Sequence, residues 1–352
     1  MFQKVSSFRA MAMAVALLGA VSAASTAEVS AAEVNVYTYR EPALIQPLFE
    51  AFTEKTGIAV NTIYANKGLE ERIRAEGRNS PADLLITTDI GRLNQAKQSG
   101  ITQAVTSPAL EAMIPANYRD AEGHWFALSS RARVVYASKE RVSETSITYA
   151  DLADPKWKER LCTRSGQHAY SIGLIAAMIA HDGEEATEKW LTGVRDNLAK
   201  RPSGNDRSQV KSIYTGECDI ALGNTYYMGL MLTNEKEPEQ KEWAGAVKIL
   251  FPDSASGRGT HVNVSGAIVA KHAPNREEAV KLLEFLAGDE AQAIYSAVNY
   301  EYPVNPAVKP SDLVASFGDI TIDTILLEDI AKARAAASTL VDRVGFDDGP
   351  SS

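Results

Sequence analysis

The sequence predicts an α/β fold in two lobes, each a mixed, mainly parallel sheet flanked by helices, the two joined by a pair of crossing strands. Three observations carry this. Strand-like and helix-like periods alternate along the first hundred residues, the pattern of a parallel sheet covered on both faces. The stretch 125–137 is unusually long for a strand and can cross from one lobe to another. A second run, 262–270, brings the chain back. Two crossings place two lobes around a cleft that a hinge can close. Residues 33–130 with 262–308 are expected in an N-terminal lobe, and 131–261 with 309–352 in a C-terminal one.

Taken in order, residues 34–39 alternate as a first strand, and Pro42 opens a helix. Leu44, Ile45, Leu48, Phe49 and Phe52 follow at helical spacing, and Gly57 stops it. Residues 58–64 predict a strand, Lys67-Gly68 a turn, 69–77 a helix, 82–88 a buried strand and 90–99 a helix. Ligands bind at the carboxyl ends of such strands. Tyr39, Arg40, Lys67, Thr87 and Asp89 all fall on that edge. A second unit opens at 151–157 and 160–163, with helices over 171–180, 184–198 and 208–215. A strand over 218–222 turns out through Gly223 and Asn224, and another is expected over 246–251. Beyond the second crossing, helices are expected over 277–286, 290–298 and 327–341.

The net charge of -9 and the lack of any Lys/Arg-dense block argue against nucleic acid as a partner, because phosphate binding needs a basic footprint. Lys4 and Arg9 precede an apolar run over 11–20 and then small residues, the grammar of a secretory signal within residues 1–32. No run reaches the ~20 apolar residues of a membrane span. The signal holds no cysteine for a lipid anchor. An exported chain with two cysteines, Cys162 and Cys218, holds either one disulfide or two buried thiols. The oxidising compartment favours the bridge.

The chemistry concentrates on tyrosine. Tyr170 lies eight residues beyond Cys162, and Tyr226 eight beyond Cys218. If each cysteine begins a strand and the two strands are neighbours, Tyr170 meets Tyr226 and Tyr227. At a strand-to-helix turn both members of the Tyr226-Tyr227 pair can face one spot. Singly, each would be an ordinary core or surface aromatic. Three converging phenolates balance a trivalent cation, which points to ferric iron. Zinc would want His and Cys, and calcium a cage of carboxylates and carbonyls. The five histidines form no ligand pair by spacing. Three ligands leave an octahedral ion open to a small anion such as carbonate. Candidate holders are Arg40, Arg131, Ser165 and Gly166, with surface salt bridges the plain alternative for the arginines.

At these residues the chain resembles the ferric-ion-binding periplasmic proteins of bacterial ABC importers. The matching segments are 36–40, 67–69, 80–83, 130–134, Arg164-Ser165-Gly166, Gly223-Asn224-Thr225-Tyr226-Tyr227, Ser265-Gly266 and Glu301-Tyr302-Pro303-Val304. The resemblance implies a type II periplasmic-binding fold with iron held by Tyr170, Tyr226 and Tyr227. It also implies an anion near Asn224 and the arginines, a monomer in the periplasm, and delivery to an inner-membrane permease with its ATPase. Several relatives place a His just after the first strand, where this chain has Glu41-Pro42; some place a Glu after the Lys-Gly turn, where it has Leu69. The resemblance is therefore to the subgroup in which tyrosines and an anion complete the site, with Tyr39 a possible fourth phenolate. Two other readings stand beside it. The same cleft can take an organic cation or an oxyanion, since aromatic rings stack on cations. An exported iron-dependent enzyme is the other, although no hydrolase, zinc-protease or Walker motif is present.

Overall fold

The computed structural model describes residues 32–350, so the expected signal peptide, residues 1–32, lies outside the described residues except for Ala32. Its first half is built as the alternation requires. Strand β1 (Glu33–Thr38) is followed by α1 (Pro42–Thr56), which starts on Pro42 and buries Ile45, Leu48, Phe49 and Phe52. Gly57 ends α1 in the left-handed conformation, φ 73°, where a residue without a Cβ carries no strain. Then come β2 (Ala59–Tyr64), α2 (Leu69–Glu76), β3 (Leu84–Thr87), α3 (Ile90–Gln98), β4 (Thr102–Gln103) and α4 (Pro108–Met113). β1 lies between β2 and β3, parallel to both.

β5 (Phe126–Ser138) is buried along all 13 residues. Its first half pairs with β9 (Val262–Ala270), and its second half with β7 (Ile220–Asn224) and β8 (Val247–Leu250), so one strand belongs to both sheets. Between these lie β6 (Leu161–Cys162), α5 (Ala169–Asp182), α6 (Glu184–Asp196), α7 (Asp206–Tyr214), α8 (Tyr226–Leu232) and α9 (Glu239–Gly245). The chain ends with α10 (Arg276–Ala287), α11 (Asp289–Asn299), α12 (Asp312–Ala315) and α13 (Leu327–Arg343).

The strand path is β2-β1-β3-β9-β5-β7-β6, with β4 beside β9 and β8 beside β5. Every antiparallel pair among the described residues involves β5 or β9; the remaining pairs are parallel. The mixture therefore has one cause, β5 and β9, which run against the strands they pair with. Trp125, Trp157 and Tyr136 are among the largest fully buried side chains, and the hydrophobic core is continuous across the crossing. Cys162 and Cys218 are bridged, with Cα atoms 6.0 Å apart. The bond ties the end of β6 to the chain entering β7, its parallel neighbour. No helix among the described residues is long and apolar enough to cross a membrane.

Candidate functional site

The tyrosine pair is placed by backbone geometry. β7 is buried throughout, and Gly223 lies where a Cβ would overlap the ring of Tyr136. Tyr136 in turn donates its hydroxyl to the Asn224 carbonyl at 2.5 Å, fixing the end of the strand. Thr225 already has helical angles, so Tyr226 and Tyr227 form the first turn of α8 and emerge together at the carboxyl end of β7. Their ring centroids are 4.2 Å apart.

Tyr170 arrives differently from the expectation. β6 ends at Cys162, and Tyr170 stands in the first turn of α5 rather than at the end of a strand. A two-residue strand cannot reach eight residues on; a connecting loop covers the distance. The hydroxyls of Tyr170 and Tyr226 nevertheless lie 3.2 Å apart. His168 caps α5, its Nδ1 accepting from the Tyr170 N–H at 3.2 Å, and its ring meets the Tyr170 ring edge-on with centroids 4.6 Å apart. Burial, then the Arg164 guanidinium, hold the imidazole down at about 4, so it is neutral at neutral pH.

These three rings line a cavity of about 200 Å³ together with Tyr39, Arg40, Glu41, Leu44, Thr88 and Glu301. Arg131, on β5, lines it as well. Tyr226 and Tyr227 keep part of their surface open to this space. Burial, followed by the charge of the neighbouring Tyr170 phenol, pushes Tyr226 well above the usual phenol range, and raises Tyr227 for the same reasons. At neutral pH both are protonated, and an ion that takes phenolates must displace those protons.

Tyr39 is engaged within its own lobe: its hydroxyl bonds the Glu70 carboxylate and accepts from the Leu69 N–H at 2.8 Å. Burial and the Glu70 bond push it up to about 12. Glu70 escaped the sequence reading, which looked for a carboxylate at position 69. One Glu70 oxygen, Oε1, is buried without a hydrogen-bond partner.

The candidate anion holders separate into different roles. Arg40 lines the cavity, but its Nη2 is paired with Glu301 at 2.9 Å and with Ser265. Arg131 bonds Ser265 Oγ at 3.1 Å and the Thr88 carbonyl, and no carboxylate among the described residues forms an ion pair with it. It is a buried cation facing the cavity without a countercharge, and its guanidinium sits 5.6 Å from the Tyr170 ring centre.

Ser165 and Gly166 are a correction. Both donate to Asp347, Gly166 through its N–H at 2.6 Å and Ser165 through its hydroxyl at 2.6 Å. The chain's own carboxylate already occupies the anion cradle that the turn offers, and neither residue lines the cavity. Asn224 is also turned away: its N–H donates to Asp206 at 2.9 Å and its side-chain oxygen accepts from Arg133.

Asp206, which the sequence reading missed, is fully buried beneath the tyrosines and joins Arg133 at 2.9 Å and Arg164 at 3.0 Å. Arg164 and Arg207 lie over the rings of Tyr170 and Tyr227, each 5.1 Å from the centroid. The tyrosines thus sit in a positive surround, which stabilises phenolate once a proton leaves. No cluster of three or more His, Cys, Asp or Glu suited to a metal exists among the described residues.

Comparison with known proteins bears on the family and the fold. Residues 79–316 match the family model described as bacterial extracellular solute-binding protein. Iron uptake protein A1 of Synechocystis sp. is 45% identical over 316 residues, spanning 89% of this chain and 87% of its own. The structure of a Bordetella ferric binding protein shares 53% identity, covers 90% of this chain and 99% of its own, and has a TM-score of 0.86. A Trichodesmium structure described as in complex with iron and citrate ligands shares 42% identity, covers 89% and 99%, and has a TM-score of 0.85. On these matches, and with β5 shared between two sheets beside a tyrosine-lined cavity, the chain belongs to the bacterial extracellular solute-binding protein family.

Proposed function

We propose that this chain captures ferric iron in the cleft through Tyr170, Tyr226 and Tyr227 and delivers it to an inner-membrane ABC permease with its ATPase. The observation that carries the reading is the convergence of the three rings, with two hydroxyls 3.2 Å apart, in a cleft without a His, Cys or carboxylate metal cluster among the described residues. Three phenolates neutralise a trivalent ion, and hard oxygen anions suit it. Relatives named for iron uptake and ferric binding support the cargo. The lobes would be residues 33–130 with 262–308 and 131–261 with 309–352, working in the periplasm as a monomer.

A small anion completes the coordination beside Arg131, the one of the two candidate arginines without a carboxylate partner. Carbonate fits the role, and the Trichodesmium relative, described as in complex with iron and citrate ligands, supports a small anion beside the metal. Tyr39 joins as a fourth phenolate only where closure draws it away from Glu70. The chain acts by binding and release, not by turnover, in keeping with relatives named as binding proteins. An organic cation or oxyanion as cargo is not favoured by the relatives named for iron.

Ferric titration of the wild type against Tyr170→Phe, Tyr226→Phe and Tyr227→Phe tests the reading. Each variant keeps the ring and loses one ligand, so each is expected to bind at least about 100-fold more weakly, with folding unchanged. Equal affinity in all four proteins would remove phenolate ligation.

A further inference from the structure

α8 carries Tyr226 and Tyr227, yet little within it holds it in place. It has seven residues, and Thr225 provides no side-chain cap at its start. A helix this short depends on contacts from outside. One such contact comes from the other side of the cleft. Tyr300 follows α11, which packs on α1 and α10 and also touches α8, while α8 packs chiefly on α9 and also on α7, α12 and β7. Two residues on, Tyr302 exchanges two backbone hydrogen bonds with Ser130 of β5, at 2.9 and 2.8 Å, so Tyr300 is anchored to the frame.

Three features show a built contact. First, Tyr300 is one of three non-glycine residues among those described with positive φ, at 57°, an unusual conformation for a bulky residue. Second, Gly229 lies under its ring: a Cβ there would overlap Cγ and come 2.6 Å from Cβ of Tyr300. Those atoms are close to the backbone, so a side-chain rotation cannot clear them. Third, Thr233 Oγ1 donates to the Gly229 carbonyl at 2.9 Å, which leaves the Tyr300 hydroxyl to donate to Thr233 Oγ1, also at 2.9 Å. The ring seats on Gly229 and the hydroxyl seats on the last turn. Its neighbours Asn299 and Glu301 line the cavity, as does Leu230 beside Gly229.

We propose that Tyr300 is a positioning residue for metal capture: seated in the notch at Gly229, it clamps α8 from across the cleft and fixes where Tyr226 and Tyr227 point. It touches neither tyrosine hydroxyl and acts through the helix. The metal side of this statement rests on the ferric-iron reading above; the clamp itself does not. The left-handed conformation at residue 300 is retained because the ring and the hydroxyl both find partners there.

The test uses Tyr300→Phe, Tyr300→Gly, Gly229→Ala and the double variant Gly229→Ala/Tyr300→Gly in the full mature protein. Two measurements are made: amide hydrogen exchange over residues 226–233 without metal, and the rate of ferric iron loss to a chelator. Tyr300→Gly is expected to speed both by about tenfold, the loss of one aromatic contact and one hydrogen bond. Tyr300→Phe keeps the ring and should show a smaller change. Gly229→Ala gives the sharpest sign. Alanine is the better helix former, so a local view expects slower exchange in α8. The clamp expects faster exchange, because the added methyl unseats the ring. In the Tyr300→Gly background the same methyl has nothing to displace and should slow exchange instead.

Exchange in α8 that is unchanged by Tyr300→Gly, or slowed by Gly229→Ala with Tyr300 present, overturns the clamp. A wild type that takes up no ferric iron overturns the metal reading, while the exchange data still decide the clamp. A Gly229→Ala protein too unstable to measure, restored by the added Tyr300→Gly change, supports it.

Discussion

Asp206→Asn removes the charge on which the site's rear wall depends. Asp206 is fully buried and is the only carboxylate among the described residues in ion-pair contact with Arg133 and Arg164, at 2.9 and 3.0 Å. The Arg133 Nε and Nη2 atoms already lack hydrogen-bond partners, so little else holds that guanidinium. Breaking a buried pair by removing one partner costs about 3–5 kcal/mol, because an uncompensated charge stays behind. The asparagine amide oxygen can still accept from the Asn224 N–H, which places the expected loss near the lower end, about 3 kcal/mol. Urea unfolding followed by circular dichroism reads it directly. The same change has the opposite sign at the metal site. The Asp206 charge helps raise both Tyr226 and Tyr227, so its removal makes phenolate easier to form. The acid limb of iron retention should therefore move to lower pH while the fold weakens. A loss below about 1 kcal/mol, or an acid limb moved upward, would refute the charge-anchor account.

Two further outcomes follow from the same structure. Tyr226 and Tyr227 are protonated at neutral pH because burial raises them, so capture releases at least two protons and affinity falls at least about 100-fold for each unit of pH lowered. Iron held equally at pH 7 and pH 4 without a chelator would contradict it; the direction is fixed because protons compete for the ligand itself. Reduction of the Cys162–Cys218 bridge, which spans 56 positions, should cost about 4 kcal/mol in the chain-entropy view, read as a lower urea midpoint under reductant.

Most of the fold was legible because it is carried by local patterns. Pro42, the spacing of Ile45 to Phe52 and Gly57 fix α1 from its own residues. β9 matches its expected span, Val262–Ala270, because nine consecutive residues are buried on both faces. The tyrosine trio was legible in part. Its strands are neighbours, as expected, but Tyr170 reaches the site from a helix cap at His168, and histidine in that role carries no strong sequence signal.

The supporting charges were not legible. Asp206 lies 42 positions from Arg164 and 73 from Arg133, and Glu301 lies 261 from Arg40. Pairings at such separations depend on tertiary structure and leave no local pattern. Ser165 and Gly166 show the converse: the local turn does offer its hydroxyl and N–H to a carboxylate, but to that of Asp347 from the far end of the chain.

The central claim concerns what the phenols do to a metal. The most direct measurement is the visible and resonance Raman spectrum of the mature protein titrated with ferric iron. Phenolate ligation predicts a coloured one-to-one complex with tyrosinate vibrations, and its loss or marked shift in Tyr226→Phe. A colourless protein, or colour without tyrosinate modes that persists unchanged in Tyr226→Phe, would contradict it.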